Sequence, residues 1–426
     1  MRLATILLFI GLIGNVSKPA PASPDNTADT YLTIVVTAVN PVAVTRADET
    51  IAIDLKALRS KYPGFNPNDF YVTVADSEIP SQIVDSRHDG TPDRLLVCTS
   101  FRSLESKSMV IHYTLHGVVE RPYPRMTQAQ LGMKTEYSKI NGCYTGGRFS
   151  NVDSTVVPPD HFAHDALYRI EGPGWESKWI VYRYYLDSRN RNDIFGKKTH
   201  DLVLQKIGVN DLVSDSKESY TNMLDWGMDI FKVGESLGIG SIAMWHNSEV
   251  VTVSKVDRVE CRIPHDGPIL SDVLTSYSGW SVGKKSYNLT TDLSISGGSR
   301  ETKVDAGISD DSVELCTGLA KHSDCELVKS SPADTAGWSF IGLYGRQSLA
   351  GDNLGIAIFY RKSDCVTVTE DSLSYIAVLR PAAGKVTYYF GAAWDKEPGG
   401  ITDRDEFARY LKDETLRLGN PIAVSF

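Results

Sequence analysis

Short runs of β-branched and aromatic residues, broken by Pro, Gly, Asn and Asp, follow one another along most of the chain. Between residues 31 and 117 these runs include YLTIVVTAVNPVAV and SMVIHYTLHG, a composition typical of strands. Asp89-Gly90 lies between two such runs and is a typical hairpin turn. The pattern predicts a small antiparallel β-sandwich over residues 31–117.

The rest of the chain has the same composition, in runs such as SKWIVYRYYLD and LGIAIFYRK, without a repeat of fixed period. Residues 118–133, VVERPYPRMTQAQLGM, predict a linker that leads into a short amphipathic helix, and they mark a domain boundary. We therefore predict an all-β dominated fold. A large antiparallel, supersandwich-like β-sandwich would occupy residues 118–426, behind the smaller N-terminal β-sandwich.

The clearest helical pattern comes last, in residues 403–418, DRDEFARYLKDETLRL. Thr402 is the predicted N-cap, and Gly419 is the predicted residue just beyond the end of the helix. Apolar residues recur on one stripe of this C-terminal helix, which predicts that it packs on the core. That stripe consists of Phe407, Tyr410, Leu411 and Leu418.

The first 22 residues have the pattern of a secretory signal. Arg2 precedes the apolar run ATILLFIGLIG, and Ala20-Pro21-Ala22 forms a cleavage site, with a polar leader at residues 23–30. The apolar run is too short to cross a bilayer, and no later run reaches the roughly 20 apolar residues required. We expect a secreted or periplasmic protein, cleaved near Ala22, without a membrane span.

The formal net charge is −9, and no cluster of Lys and Arg interrupts this acidic balance. Phosphate backbones are bound by clustered basic residues, so nucleic acid is excluded as a predicted partner. An anionic glycan could still bind, because a local basic pocket does not depend on the net charge.

Six cysteines are present, without the C-x-x-C spacing of a zinc ribbon or a redox motif. Export permits disulfides, and Cys316 and Cys325 flank TGLAKHSD, a loop that could close a hairpin. We expect this pair to bond and Cys98, within an apolar run, to be a buried thiol. The pairing of the others is left open.

Residues 168–198, YRIEGPGWESKWIVYRYYLDSRNRNDIFGKK, combine aromatic and charged side chains. Within them, residues 177–187 alternate as a strand would between a core face and a mixed face. Arg183 on the mixed face could grip a sugar carboxylate through two parallel hydrogen bonds, or form a solvated salt bridge with Asp187. The core face comprises Ile180, Tyr182, Tyr184 and Leu186, and the mixed face Trp179, Val181, Arg183, Tyr185 and Asp187.

His161 and His164 lie upstream, in PPDHFAHDALY, close to Tyr168. A His-x-x-His pair can supply a general base or ligate a divalent metal, although it can equally be structural. No third ligand is evident, so a metal is possible and no cofactor is assigned. Downstream, Lys198 is either an anion ligand or a solvated charge.

Several motifs are absent or ambiguous. Neither G-x-S-x-G nor H-E-x-x-H occurs, which removes the common esterase and zinc-protease mechanisms. The glycines of KVGESLGIGS lack the G-K-[ST] ending of a phosphate loop and predict tight turns. Trp245 and Trp394 are either sugar platforms or core residues. A glycoside hydrolase would need two facing carboxylates, and spacing does not show which acids face each other.

Three stretches, YRIEGPGWESKWIVYRYYLDSRNRNDIFGKK, DWGMDIFKVGESLGIGSIAMW and TYYFGAAWDK, resemble the bacterial family of domain of unknown function 4861. The resemblance covers most of residues 30–426. It implies a secreted protein of glycan utilisation, similar to those associated with dehydration of a terminal uronic acid in ulvan-type oligosaccharides. It assigns no catalytic residue.

From these residues we hypothesise β-elimination on a uronate-containing oligosaccharide. Arg183, helped by Lys198, would neutralise the carboxylate, and His161 or His164 would remove the C5 proton. Tyr168 or Tyr185 would protonate the departing oxygen, and Arg183→Ala would then lower turnover severely while leaving the fold intact. Further candidates for substrate binding are Trp175, Glu176, Trp179, Asp187, Lys198, Trp245 and Trp394.

A hydroxyl leaving group would make the enzyme a dehydratase, and a sugar leaving group would make it a polysaccharide lyase. A non-catalytic glycan-binding protein and a glycoside hydrolase are the alternatives. The sequence does not indicate an oligomeric state.

Overall fold

A computed structural model of the 426-residue chain describes residues 31–209, 217–331 and 336–426. The predicted signal and leader, residues 1–22 and 23–30, lie outside the described residues. Strands account for nearly all of the regular structure, and the helical elements are α1 (Leu55–Lys61), α2 (Arg404–Gly419) and a 3-10 turn at Leu204–Lys206. The prediction of an all-β dominated fold is confirmed.

The strands follow in chain order, beginning with those of the N-terminal region. They are β1 (Leu32–Val39), β2 (Arg46–Asp54), β3 (Phe70–Val74), β4 (Ser77–Ile79), β5 (Ser81–Val84), β6 (Arg94–Phe101) and β7 (Ser106–Tyr113). Next are β8 (Thr127–Gln130), β9 (Gly132–Thr135), β10 (Ser138–Ile140), β11 (Cys143–Thr145), β12 (Arg148–Asn151), β13 (Ser154–Val156), β14 (Gly174–Ser177), β15 (Ile180–Tyr184), β16 (Asn192–Lys197) and β17 (Gly227–Asp229).

The remaining strands form the C-terminal half of the chain. They are β18 (Ala243–His246), β19 (Glu249–Thr252), β20 (Arg258–Arg262), β21 (Leu270–Val282), β22 (Lys285–Ser296), β23 (Glu301–Ile308), β24 (Glu314–Ala320) and β25 (Cys325–Lys329). The last are β26 (Trp338–Gly345), β27 (Leu354–Arg361), β28 (Cys365–Glu370), β29 (Ser374–Leu379), β30 (Lys385–Trp394) and β31 (Ala423–Ser425).

Two sheets form an N-terminal unit around their own apolar core. Their strand orders are β31-β1-β7-β3-β4 and β2-β6-β5, and Val36, Leu95 and Ile111 lie in the core between them. Since β31 pairs with β1, the C-terminal end of the chain completes this unit. The predicted helix in the linker is wrong, because residues 127–130 form β8 instead. The boundary near residue 118 stays a prediction.

The larger unit packs a nine-stranded sheet against two five-stranded sheets. The long sheet has the order β13-β20-β21-β22-β23-β30-β27-β26-β25, and the facing sheets are β17-β16-β15-β14-β8 and β19-β18-β24-β29-β28. One continuous core joins all three, with Tyr182 of β15, Tyr388 of β30 and Ala377 of β29 among its buried residues. The antiparallel pairing of neighbouring strands in these sheets is the predicted arrangement.

The side chains of β15 alternate between the two faces of the sheet as predicted. Tyr182 and Tyr184 point into the core, where the Tyr182 hydroxyl donates to the Arg300 carbonyl at 2.7 Å and the Tyr277 hydroxyl donates to Tyr184 at 2.6 Å. The opposite face of this sheet carries Val181 and Phe195, and the segment after β16 covers it with Leu204 in a second apolar cluster. Arg183 lies on this covered face.

The helix α2 begins one residue later than predicted. Asp403, rather than Thr402, is the N-cap, since its carboxylate accepts from the Glu406 amide at 2.8 Å. Gly419 is the last helical residue, and Asn420 is the C-cap. The predicted apolar stripe packs on the nine-stranded sheet: Phe407 and Leu411 are buried, and Tyr410 and Leu418 are partly buried.

All six cysteines are unpaired. The predicted Cys316–Cys325 disulfide is wrong, because Cys316 lies in β24 and Cys325 in β25, on different sheets. Cys98 is buried as expected, and burial raises the pKa of its thiol to about 12.

None of the helices in the described ranges is long and apolar enough to cross a membrane.

Candidate functional site

His161 and Asp165 form a tight pair in the connection between β13 and β14. The distance from His161 Nδ1 to Asp165 Oδ2 is 2.7 Å, and the same carboxylate accepts from the Leu167 amide at 2.9 Å. Because a carboxylate only accepts, Nδ1 carries the proton of this bond, and in the neutral imidazole the lone pair is then on Nε2. The Tyr168 ring makes an edge-to-face contact with the imidazole, with 5.0 Å between the ring centroids, and this contact fixes the plane of the imidazole.

The His161 side chain lines a cavity of about 150 Å³. Its Nε2 is buried and has no hydrogen-bond partner among the described residues. Polar residues from two other segments also line this cavity, so a polar ligand would find donors and acceptors there. They include Asp187, Ser188, Asn190, Ser254, Asp257 and Arg258.

Arg183 is not available to a ligand in the way the sequence suggested. It is 4% exposed, and its Nε donates to Asp193 at 2.9 Å while its Nη2 donates to Asp229 at 2.7 Å. Its partners are these two carboxylates and not Asp187, the salt-bridge partner that the sequence suggested. Asp193 lies directly opposite Arg183 on the neighbouring strand β16, so the pair is a cross-strand contact beneath the covering segment.

One of the two carboxylates beside Arg183 has a raised pKa. Burial, and then the neighbouring Asp193 charge, raise the pKa of Asp229 to about 7. The Tyr185 hydroxyl donates to Asp193 at 2.5 Å, and burial raises the pKa of this phenol far above its usual value. Tyr185 is therefore a fixed hydrogen-bond donor in this cluster.

A chain of charged contacts joins the Arg183 cluster to the cavity. Arg189 donates to Asp187, in the cavity wall, at 2.8 Å and to Glu171 at 2.8 Å. Its guanidinium carbon lies 3.6 Å from the centre of the Tyr185 ring. Glu171 in turn lies 3.8 Å from Arg183 Nη1. The cavity and the ion cluster are thus one continuous polar region.

The two histidines face different carboxylates. His164 Nδ1 lies 2.9 Å from Glu171, and its side chain is 78% exposed, whereas the His161 side chain is 3% exposed. The metal-ligating cluster found in the described residues includes neither of them. The predicted His-x-x-His pair therefore does not form a joint metal site.

Three of the predicted substrate contacts are structural. Trp175 and Trp394 are fully buried and donate to Thr302 at 2.8 Å and to Asp352 at 2.7 Å, so neither ring offers a face to a sugar. Glu176 is equally buried. Its carboxylate accepts from the amides of Val203 and Leu204, at 2.8 and 2.7 Å, and pairs with Lys197 at 2.9 Å.

Three others lie away from the cavity. Trp179 is half-buried and stacks on the Arg300 guanidinium at 3.9 Å. Trp245 is half-buried on β18, on the second five-stranded sheet. Lys198 is exposed and donates to the Leu224 carbonyl at 3.1 Å. Within the described ranges, none of these three side chains lines the cavity beside His161.

Two residues of this site were missed by the sequence analysis. Asp165 had a local signal, since it follows His161 by four residues in HFAHD. Arg258 had none, because it is distant from His161 in the chain and lines the same cavity only in the folded protein.

The chain matches the family described as domain of unknown function (DUF4861) over residues 38–424. It belongs to this family. No curated protein matches the DUF4861 chain.

Similar solved structures include a glycosyl hydrolase family 38 protein from Enterococcus faecalis, at 9% identity and a TM-score of 0.46. The alignment covers 94% of this chain and 48% of that protein. An α-mannosidase from Enterococcus faecalis V583 gives 10% identity and a TM-score of 0.44, with 92% and 46% covered. The DUF4861 chain spans about half the length of these proteins.

Replacing Arg183 with alanine should destabilise the protein by about 3–5 kcal/mol, because Asp193 and Asp229 would lose their buried counter-charge. Chemical denaturation measures this loss. Arg258→Ala is the matched control, since Arg258 pairs with Glu260 at the surface and should change stability by less than about 0.5 kcal/mol. A stable, inactive Arg183→Ala variant would instead support the original ligand-binding role.

The raised pKa of Asp229 predicts a pH-dependent difference between the wild type and Asp229→Asn. An unfolded Asp titrates near 4, while folded Asp229 titrates at about 7. Between these values the folded state binds more protons, so the wild type should lose stability relative to Asp229→Asn as the pH rises, by up to about 1.4 kcal/mol per pH unit. Urea unfolding across this range tests it, and a pH-independent difference would contradict it.

Proposed function

We propose that this DUF4861 protein is an exported carbohydrate-active enzyme that acts on uronate-containing oligosaccharides by β-elimination, as the dehydratase of a non-reducing-end uronic acid. The observation that supports this proposal is the imidazole of His161, which Asp165 holds, whose Nε2 is buried without a partner, and which belongs to a residue lining a polar cavity. The sugar class follows from the resemblance to proteins associated with glycan utilisation.

The proposed base is His161 Nε2. With Nδ1 donating to Asp165, the Nε2 lone pair accepts a proton, and the resulting imidazolium is stabilised by the adjacent carboxylate. Asp165 touches no substrate in this scheme and acts as a positioning residue. Tyr168, which the sequence suggested as an acid, packs on the imidazole and shares its hydroxyl hydrogen bond with Thr155 at 3.1 Å.

The carboxylate of the sugar needs a cation to acidify the C5 proton. We assign this role to Arg258, because it is the arginine among the residues that line the same cavity as His161. Its present partner is Glu260, and both side chains are about half exposed, at 53% and 50%. An exposed pair of this kind contributes about 0–1 kcal/mol, so a substrate carboxylate can displace Glu260 at little cost.

The elimination balances within this set of groups. His161 takes the C5 proton, the C5–H electron pair forms the C4–C5 double bond, and the C4–O bond breaks. The protonated imidazole then returns its proton to the departing oxygen, which leaves as water from a free 4-hydroxyl. A glycosidic oxygen at C4 would leave as a sugar, and the same residues would then act as a lyase.

Turnover of a uronate-terminated oligosaccharide, followed by the ultraviolet absorbance of the unsaturated product, tests the base. His161→Gln should lower kcat by about 10²- to 10⁴-fold, because the proton acceptor is lost. The control is His112→Gln, which should leave turnover unchanged. His112 is a half-buried histidine of the N-terminal unit, and it forms a hydrogen bond with Thr73 at 3.1 Å.

Equal turnover by His161→Gln and the wild type would remove His161 from the mechanism. Reducing ends without ultraviolet absorbance would identify a hydrolase. Binding without any product would identify a glycan-binding protein.

Replacing Arg258 with glutamine should raise KM for the uronate substrate by about tenfold or more, since a charge-assisted contact contributes about 1.5–3 kcal/mol. Steady-state kinetics measure this change. Arg380→Gln is the matched control, because Arg380 forms a comparable exposed pair with Glu314 at 3.0 Å, away from the cavity. An unchanged KM in Arg258→Gln would rule out this carboxylate contact.

A further inference from the structure

Two carboxylates lie together on the outer face of the nine-stranded sheet. Asp292 of β22 is directly opposite Leu274 of β21, so Asp272, two residues before Leu274, shares its face and lies diagonally beside it. The intervening Val273 and Leu293 point the other way, into the core. The carboxylates therefore face the N-terminal unit.

His88 reaches these carboxylates from the loop between β5 and β6. Its Nε2 lies 3.0 Å from Asp292 Oδ2 and 3.9 Å from Asp272 Oδ2, and its side chain is 10% exposed. The residue has a left-handed backbone, with φ of +55°, which costs a non-glycine residue on the order of 1 kcal/mol. The loop thus accepts an unfavourable conformation at the residue that carries the imidazole.

A second imidazole approaches from the large unit. His265 Nδ1 lies 2.7 Å from Asp272 Oδ2, and the His265 amide donates to Asp272 Oδ1 at 2.7 Å. The two imidazole rings are 5.7 Å apart, between centroids. Ligand atoms of His88, His265 and Asp272 all lie within 4.8 Å of one another.

The charges of this group are incompletely balanced. Asp305, the next acid along the face, pairs with Lys303 at 2.6 Å. In the described part of the chain, Asp272 and Asp292 form ion pairs only with the two imidazoles. The second carboxylate oxygen of Asp292 is buried and has no hydrogen-bond partner. A cation bound here would satisfy both acids.

We propose that His88, His265, Asp272 and Asp292 form a binding site for Zn²⁺, which ties the N-terminal unit to the nine-stranded sheet. Two imidazoles and two carboxylates suit zinc better than the oxygen-only preference of Mg²⁺ or Ca²⁺. Bonds of about 2.0–2.1 Å in a tetrahedron place ligand atoms about 3.3 Å apart. Three of the pairwise separations, His265–Asp272 at 2.7 Å, His88–Asp292 at 3.0 Å and His88–Asp272 at 3.9 Å, bracket this value.

Zinc binding at this site displaces a proton. The Asp85 amide donates to His265 Nε2 at 3.3 Å, so the His265 proton is on Nδ1, facing Asp272. Coordination through Nδ1 moves the imidazole proton to Nε2, and the hydrogen bond from the Asp85 amide to Nε2 is then lost. Both imidazoles must present a lone pair to the metal, so affinity should fall as the pH is lowered.

The test is zinc binding to the full chain after dialysis against a chelator, followed by calorimetry and by the Tm. The wild type should bind one Zn²⁺ per chain, and its Tm should rise with the logarithm of the zinc concentration. His88→Asn should lower the zinc affinity at least about tenfold, since losing even a residue that only orients a ligand costs that much, and it should remove the Tm rise. Mg²⁺ should produce no shift.

The matched control is His164→Asn. His164 also has a left-handed backbone, with φ of +67°, but lies outside the cluster, so this variant should keep wild-type zinc binding. Asparagine tolerates the left-handed region, which lets His88→Asn keep the loop conformation. The circular dichroism of His88→Asn and its Tm without zinc verify that this variant is folded. Asp292→Asn is a second variant that should lose zinc binding.

Absence of stoichiometric zinc binding would overturn the proposal, as would equal affinities for the wild type and His88→Asn. If zinc has no effect and His88→Asn changes only the pH dependence of stability, the group is an imidazolium–carboxylate contact between the units and not a metal site.

Discussion

A charge buried without a partner costs several kcal/mol, and this constraint organises the outer face of the sheet that carries β15. Arg183 meets it by bonding to Asp193 and Asp229. On the same sheet, Lys197 and Glu176, both fully buried, pair at 2.9 Å. The segment after β16 then covers these pairs with Val203 and other apolar residues. These buried ion pairs therefore stabilise the sheet, and we place the chemistry on a ligand at the rim of the sheet, in the cavity beside His161.

At that rim, further charged side chains connect the buried ion pairs to the cavity. Arg189 passes from the Tyr185 ring to Asp187, which belongs to the wall of the cavity with His161. A rigid ion cluster behind a small polar cavity is the arrangement in which a general base keeps its orientation. We therefore propose three separate roles. His161 moves the proton, Arg258 binds the substrate carboxylate, and Arg183 stabilises the sheet behind the cavity.

The sequence predicted those features that depend on neighbours along the chain. Alternation placed Tyr182 and Tyr184 in the core, and turn residues such as Gly238 and Gly240 adopt the expected left-handed backbone, with φ of +55° and +67°. It did not predict the partner of Arg183. Asp187 is close in the chain, whereas Asp193 becomes the partner only through the register of the β15–β16 hairpin.

Burial was the other quantity that local patterns did not determine. An aromatic residue beside a charge has the same sequence signature in a sugar cleft and in a core, and Trp394 is in the core because Gly196 leaves room for its ring. Cys316 and Cys325 are close in the chain but belong to different sheets, so their spacing was misleading.

The central claim is that the Asp165 contact leaves His161 Nε2 unprotonated, and nuclear magnetic resonance of the imidazole nitrogens tests it most directly. Two-bond proton–nitrogen correlations of labelled protein distinguish the two neutral tautomers. We expect His161 to be the Nδ1–H tautomer near neutral pH, and Asp165→Asn to alter that state. An Nε2–H tautomer in the wild type would contradict the account, because the proposed base would already carry its proton.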